Sequence, residues 1–380
     1  MIIQSKRVWI AGLFMPAQIE IQWGKITDIL PYGTKREDTD YGNDRIIPGL
    51  IDIHTHGYQS WDTNDATEEG LRRWMKEIPS EGVTAVCPTT ITQSRKVLSA
   101  ALKNVADVVS QGYEGAEILG IHFEGPYLDK VYKGAQPEPY CVRPDAESFR
   151  QYQEDAGGLI RIVTMACEHD ENYALTEYCA QNGVLVSQGH SGATYEQALM
   201  AAAHGAMSMT HVFNGMREFH HRQPGLVGAA LRLKDLYGEV ICDGNHSDPA
   251  SLRIFFQAKG RDRAIMVSDS LMAKGCPVGS RHIFGGNEIE VYPDGSAHLT
   301  KTGGLAGSTL KLNEGLRILC EKAEVPFEYA INSCTINPAR ALSLDDRKGK
   351  ICTGFDADLA VLDDAYNVRQ TYVRGEAWLK

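Results

Sequence analysis

No stretch of the 380 residues approaches the ~20 consecutive apolar residues of a membrane span. The opening MIIQSKRVWIAGLF also lacks the compact hydrophobic segment and processing site of a secretory signal, so a cytoplasmic chain with no membrane partner is expected. Basic excess is missing as well. Against 38 Lys and Arg stand 49 Asp and Glu, a formal charge of −11 that offers no general attraction to nucleic-acid phosphates. A local basic site for a small anion stays open. The nine cysteines are scattered, with no close C-x-x-C pair and no dense disulfide pattern, and read as reduced, buried small residues. Repeats and low-complexity tracts are absent too, which removes any need for a solenoid or a disordered tail.

What is present is an alternation of strand and helix signals long enough for one large barrel plus a smaller domain. Strand-like runs end at His56 and recur near 84–88, 116–123, 160–166, 184–188, 207–211, 239–243 and 264–269. Helical patterns at 67–80, 92–109, 171–182, 193–203 and 248–259 separate several of them; in the first, Leu71, Trp74, Met75 and Ile78 share one face. Eight such strands in βα order predict an α/β fold, a TIM-like (β/α)8 barrel. A hairpin over Glu288–Tyr292 and Ser296–Thr300 should follow the eighth strand, then helices over 308–323 and 327–342. Short strands at 1–10, 18–23 and 25–30, with others within 349–362 and 371–378, predict a composite β-sandwich built from both chain ends. The expected division is 1–48, 49–348 and 349–380.

Polar residues interrupt this pattern where strands stop. His54 and His56, one residue apart, share a face of an extended strand and can reach one metal, or can equally be hydrogen-bonded polar groups at a strand end. The later strands run into Glu124, His190, His211 and Asp269. In a barrel these C-terminal ends converge. Glu124, His190 and His211 then supply one oxygen and two nitrogens, a donor set suited to a divalent ion such as Zn²⁺. Taken singly, each has an ordinary role in a salt bridge or a strand-end hydrogen bond. Asp269 is the candidate for proton transfer, with turn capping or a second metal as its alternatives. His122, two residues before Glu124, reads as support for the site rather than a ligand.

The ordered segments His122–Phe123–Glu124–Gly125–Pro126, Gly189–His190–Ser191, Thr210–His211–Val212–Phe213–Asn214, Arg222–Gln223–Pro224–Gly225, Asp243–Gly244–Asn245–His246, Ser268–Asp269 and Leu305–Ala306–Gly307–Ser308 follow Pro48–Gly57. Together they resemble the N-acetylglucosamine-6-phosphate deacetylases of the amidohydrolase superfamily over nearly the whole chain. The resemblance implies a metal-dependent hydrolase that removes the acetyl group of N-acetylglucosamine 6-phosphate. Glu124, His190 and His211 would be its principal metal ligands, His54 and His56 a second metal position, and Asp269 the proton-transfer residue. The ion would be Zn²⁺, with Fe²⁺, Mn²⁺ or Co²⁺ as alternatives.

The same resemblance places Asn214, Gly215, Arg222, His246, Leu305, Ala306 and Gly307 in a sugar-phosphate pocket, and implies a homodimer with part of the phosphate site at the subunit boundary. Arg222 would clamp phosphate, unless it serves a surface salt bridge beside His220 and His221; His246 could instead hold a turn. Ala135 and Gln136 belong to the same pocket, but many relatives have histidine where Gln136 stands; an amide can donate a hydrogen bond there but gains no charge. An N-acetylgalactosamine-6-phosphate deacetylase, a cyclic amidase or dipeptidase, and a nonenzymatic metal- or sugar-binding protein are the competing readings.

Overall fold

Pro48 and Gly49 separate two kinds of strand. The computed structural model describes residues 1–378. Arg45–Pro48 pairs in parallel with Ile2–Ile10 and antiparallel with Leu359–Leu362, so both ends of the chain share one eight-stranded sheet. Its order is Glu376–Ala377, Val368–Val373, Leu359–Leu362, Arg45–Pro48, Ile2–Ile10, Leu13–Gln22 and Lys25–Pro31, with Thr39–Asp40 alongside Ile2–Ile10. Ile3, Ile19, Ile26, Ile46, Leu359 and Val361 give this sheet an apolar core of its own. The strand signal within 349–362 shortens to Leu359–Leu362, because Gly349 and Gly354 take φ of +83° and +90° and turn the chain.

The parallel strands from Leu50 onward are mostly buried along their length, the pattern of parallel strands covered on both faces. Leu50–Thr55 and Val83–Thr90 are buried at every residue. Ile121–Glu124, Ile160–Met165, Leu185–Gln188 and Ala206–Met209 follow in register as one curled parallel sheet. Gly238–Ile241 pairs in parallel with Ala264–Val267. Backbone bonds reach across the intervals on both sides of that pair. Tyr237 N–H donates to the Met207 carbonyl at 2.9 Å, Val212 N–H to that of Glu239 at 2.8 Å, and Asp269 N–H to that of His54 at 2.8 Å.

Helices cover the sheet where the apolar spacing predicts them. Glu68–Glu77 buries Leu71, Trp74 and Met75, each worth about 1.5–3 kcal/mol, while Glu68 and Glu69 complement the partial positive charge of its first turn. The pattern over 327–342 breaks into Phe327–Ser333 and Ile336–Ala341, because Thr335 between them leaves helical geometry. Two further helices, Ala146–Asp155 and Gly225–Arg232, add to the expected set: the first buries only Phe149 and Tyr152 in a largely polar stretch, and the second carries Gly225 and Gly228, residues of poor helix propensity. The signal at 116–123 divides into Glu117–Ile118 and Ile121–Glu124 around Gly120, whose φ is +148°. After the eighth parallel strand the hairpin gains a third member, Arg281–Phe284, beside Asn287–Val291 and Ala297–Leu299. Among the described residues no helix is long and apolar enough to cross a membrane.

Candidate active site

The C-terminal ends of the parallel strands bring six side chains into one buried group. His54 Nε2 lies 3.4 Å from Glu124 Oε1 and 3.5 Å from Asp269 Oδ1. His56 Nε2 lies 3.2 Å from Glu124 Oε2 and 3.1 Å from Asp269 Oδ1. From the other side, His190 and His211 place Nε2 at 3.4 and 3.3 Å from Glu124 Oε1. Glu124 thus stands between two donor sets, Glu124–His190–His211 and His54–His56–Asp269, each tight enough to hold an ion.

Local backbone aims these groups. His190, His211 and Asp269 stand just past their strands with φ of +29°, +25° and +48°, a sparsely populated conformation that turns each side chain into the cavity mouth. Ring orientation follows from what each Nδ1 touches. Carbonyl oxygens only accept, so the Tyr132 carbonyl at 2.9 Å and the Asn214 carbonyl at 3.1 Å put the proton of His190 and His211 on Nδ1. Their Nε2 lone pairs then face each other at 3.2 Å. Two lone pairs at that distance repel unless a cation sits between or beside them. Glu124 Oε1 and His54 Nε2, both buried, also have no hydrogen-bond partner. Borderline imidazole nitrogens and hard carboxylate oxygens converging with unspent lone pairs fit a borderline divalent ion.

The electrostatics agree. Burial pushes the Asp269 carboxyl up, but the imidazoles of His54 and His56 outweigh it and hold the group below its usual range. Glu124 is held well below its ordinary value in the same way, burial being overcome chiefly by the charge of His54. For His56, burial works against the charged form, yet Asp269 and Glu124 raise it to about 9. The site therefore demands positive charge, and a divalent ion would meet that demand by displacing protons from the imidazoles.

A cavity of about 140 Å³ opens above this group. His56, Glu124, His190, His211 and Asp269 form its floor, and Ala135, Gln136, Asn214, Gly215, His246, Leu305 and Gly307 contribute to its walls. Glycine is required at two of these places: at Gly215 (φ +59°) a Cβ would come within 2.5 Å of His190 Nδ1, and at Gly307 (φ +47°) within 2.5 Å of a Leu271 methyl. His246 gives Nδ1 to Asp243 Oδ2 at 2.7 Å; burial lowers its pKa, but the carboxylate outweighs that and raises it. Gln136 donates Nε2–H to Glu124 Oε2 at 2.8 Å and accepts from Thr92 N–H at 2.7 Å, so both ends of its amide are engaged. Two expected residues lie elsewhere. Ala306 is buried in the apolar core of the hairpin. Arg222 is exposed, contacts His221 Nε2 at 3.0 Å and lines a separate cavity with Thr194, Arg217 and Gln223.

The sequence profile of the Amidohydrolase family matches residues 45–378. The N-acetylglucosamine-6-phosphate deacetylase of Bacillus subtilis is 39% identical over 87% of this chain and 83% of its own length. The chain belongs to the amidohydrolase family. An Escherichia coli O157:H7 relative of this amidohydrolase, an N-acetylgalactosamine-6-phosphate deacetylase, is 32% identical over 94% of each chain. The structure of an aspartate-to-alanine mutant of N-acetyl-D-glucosamine-6-phosphate deacetylase from Mycobacterium smegmatis, in complex with N-acetyl-D-glucosamine-6-phosphate, superposes with a TM-score of 0.95 at 28% identity, covering 100% of this chain and 99% of that one.

Other features of this amidohydrolase's site escape sequence reasoning. Phe284, on the first hairpin strand, closes one wall edge-on to His56, with ring centroids 5.4 Å apart. Nothing local marks it, because its position depends on how the hairpin folds back. Gly134 also lines the cavity, inside the loop that carries Ala135 and Gln136. His122 is spent on other partners, Nδ1 on the Ile53 carbonyl at 2.9 Å and Nε2 on Thr164 Oγ1 at 2.7 Å. Glu239, fully buried in Gly238–Ile241, bonds His54 Nδ1 at 2.9 Å. A carboxylate inside an otherwise apolar parallel strand is a signal that could have been read.

Proposed function

We propose that this protein removes the acetyl group from N-acetylglucosamine 6-phosphate, releasing acetate and glucosamine 6-phosphate. The observation that carries this reading is the convergence of two donor sets on Glu124 beneath a cavity walled by Asn214, Gly215, His246, Leu305 and Gly307. Glu124, His190 and His211 would hold the primary ion, Zn²⁺ or alternatively Fe²⁺, Mn²⁺ or Co²⁺; His54 and His56, with Asp269 beside them, would hold a second. When bound, such an ion lowers the pKa of water and polarises a carbonyl oxygen.

The chain's own residues do the rest. Asp269, ionised and 3.1 Å from His56, takes a proton from the attacking water as the new carbon–oxygen bond forms. It returns that proton to the amine nitrogen as the carbon–nitrogen bond breaks. His246 is pinned by Asp243 through Nδ1, which leaves Nε2 for the substrate. Gln136 steadies Glu124 through its amide. Arg222 stands outside its own chain's cavity, which supports a homodimer whose 222 loop serves the phosphate end of the neighbouring site.

The same reading includes a cytoplasmic location, a closed (β/α)8 barrel spanning 49–348, and a β-sandwich made by 1–48 with 349–380. Bonds from Asp269 to His54 and from Tyr237 to Met207 support closure, and the separate apolar core of the composite sheet supports the sandwich.

Acetate release from phosphorylated and unphosphorylated N-acetylglucosamine and N-acetylgalactosamine, with each divalent ion in turn, tests the proposal. Preferential turnover of N-acetylglucosamine 6-phosphate is expected. A preference for the galactosamine epimer would move the chain toward the activity named for its 32% identical relative. No release with any ion would reject the deacetylase reading.

A further inference from the structure

We infer that Glu239 is the positioning residue for the second ion, fixing His54 through its Nδ1–H and placing a negative charge behind the ring. This rests on the reading of His54 and His56 as a second metal position.

Glu239 is 0% exposed in the parallel strand Gly238–Ile241. One carboxylate oxygen meets His54 Nδ1 at 2.9 Å, and the other has no hydrogen-bond partner. No Lys or Arg forms an ion pair with it among the described residues; His54 is its only ion-pair partner there. An ionised carboxylate in such a place is costly unless positive charge compensates it. His54 alone relays it toward such charge. With Nδ1 donating to Glu239, the ring presents Nε2 to the point where His56 Nε2 and Asp269 Oδ1 also converge.

His190 and His211 show that a carboxylate is not the default. Their Nδ1–H groups go to the neutral carbonyls of Tyr132 and Asn214. A carboxylate behind an imidazole orients it and makes it the more basic donor. Each half of the site supplies one carboxylate, Asp269 or Glu124, so Glu239 adds behind His54 a negative charge that the His190–His211 half lacks behind its rings. The grouping of Glu239 with His54 and His122 is not a third ion site. His122 uses both ring nitrogens on Ile53 and Thr164, and His54 Nδ1 is already bonded to Glu239.

Equilibrium dialysis of the full chain against buffered Zn²⁺, with ions counted by mass spectrometry, tests the assignment. The wild-type chain should hold two ions. Glu239→Gln keeps an acceptor for Nδ1–H but removes the charge, and should bind the second ion about 10- to 100-fold more weakly while leaving the first unchanged. Glu239→Leu should hold one. If the leucine variant does not fold, the glutamine variant decides. Two ions bound with wild-type affinity in Glu239→Gln would overturn the charge role of Glu239, and in Glu239→Leu its positioning role. A wild-type chain that holds one ion, with a His54→Ala/His56→Ala variant that also holds one, would instead remove the second position and this inference with it.

Discussion

Two acidic clusters flank the third parallel strand. Glu124 ends that strand among four imidazoles and Asp269; Glu117, just before it, meets Asp356 and Asp358. By the spacing of their nitrogen and oxygen atoms, both clusters could hold an ion. They differ in what fills the centre. In the second cluster the ammonium of Lys348, 1% exposed, lies 2.8 Å from Glu117 and 3.2 Å from Asp356 and bonds Asp358. Arg347 and Lys25 reach Asp356 at 2.6 Å each. That cluster carries its own cations and ties the composite sheet to the parallel strands. The first carries none except protons on histidine. Close carboxylates alone do not mark a candidate metal site; of the two clusters, the one without its own cation is the candidate.

The largest expected effect comes from the group in the first cluster that moves a proton. Asp269→Asn should lower kcat about 100- to 10,000-fold, the usual contribution of a positioned acid–base group. The single ion proposed for Glu124, His190 and His211 should remain, measured as metal per chain. Near-normal turnover would remove Asp269 from proton transfer.

Removing the resident cation of the second cluster should act on stability instead. Lys348→Ala leaves buried carboxylates without their central partner and should cost about 3–5 kcal/mol in urea denaturation. Its ion content should stay that of the wild type. Chelation does the reverse, leaving Lys348 untouched. It should lower stability by about 2.7 kcal/mol for each bound ion, relative to free ion at 100 times that site's dissociation constant. If chelation cost nothing, the first cluster would be self-compensating like the second.

The sequence made the first cluster legible and hid the second. His190, His211 and Asp269 stop apolar strand runs, and strand ends of a parallel α/β fold converge, so a one-dimensional pattern implied a three-dimensional group. Lys348, Asp356 and Asp358 lie between the last helix and the strand Leu359–Leu362, and Glu117 is more than 200 residues away; the pairing of both chain ends in one sheet brings them together. The same limit hid Phe284, and it placed Arg222 in the pocket on resemblance while its own chain holds it outside. Helix signals failed for a different reason. Ala146–Asp155 buries only Phe149 and Tyr152 in a largely polar stretch, and Gly225–Arg232 carries two glycines, so composition masked both.

The smallest expected effect concerns pH and separates the clusters without touching catalysis. Burial would raise Glu117, but Arg347 and Lys348 outweigh it and hold its carboxyl below the usual range. Asp356 is depressed in the same way, by Lys25, Lys348 and Arg347. A carboxyl with a depressed folded pKa gives stability above its unfolded value and loses it as pH falls through the folded one. Asp358 works in the opposite sense, because burial there exceeds the pull of Lys348 and leaves its pKa raised; part of the cost of ionising it is recovered on acidification. The net acid loss is therefore smaller than the depressed pair alone would give. Glu117→Gln removes one depressed carboxyl, so its urea midpoint should fall less steeply than the wild type's below about pH 4, where unfolded glutamate titrates. Parallel midpoint curves down to about pH 3, in chelator so that the first cluster contributes no ion-linked term, would show that Lys348 and Arg347 neutralise Glu117 no better than water does.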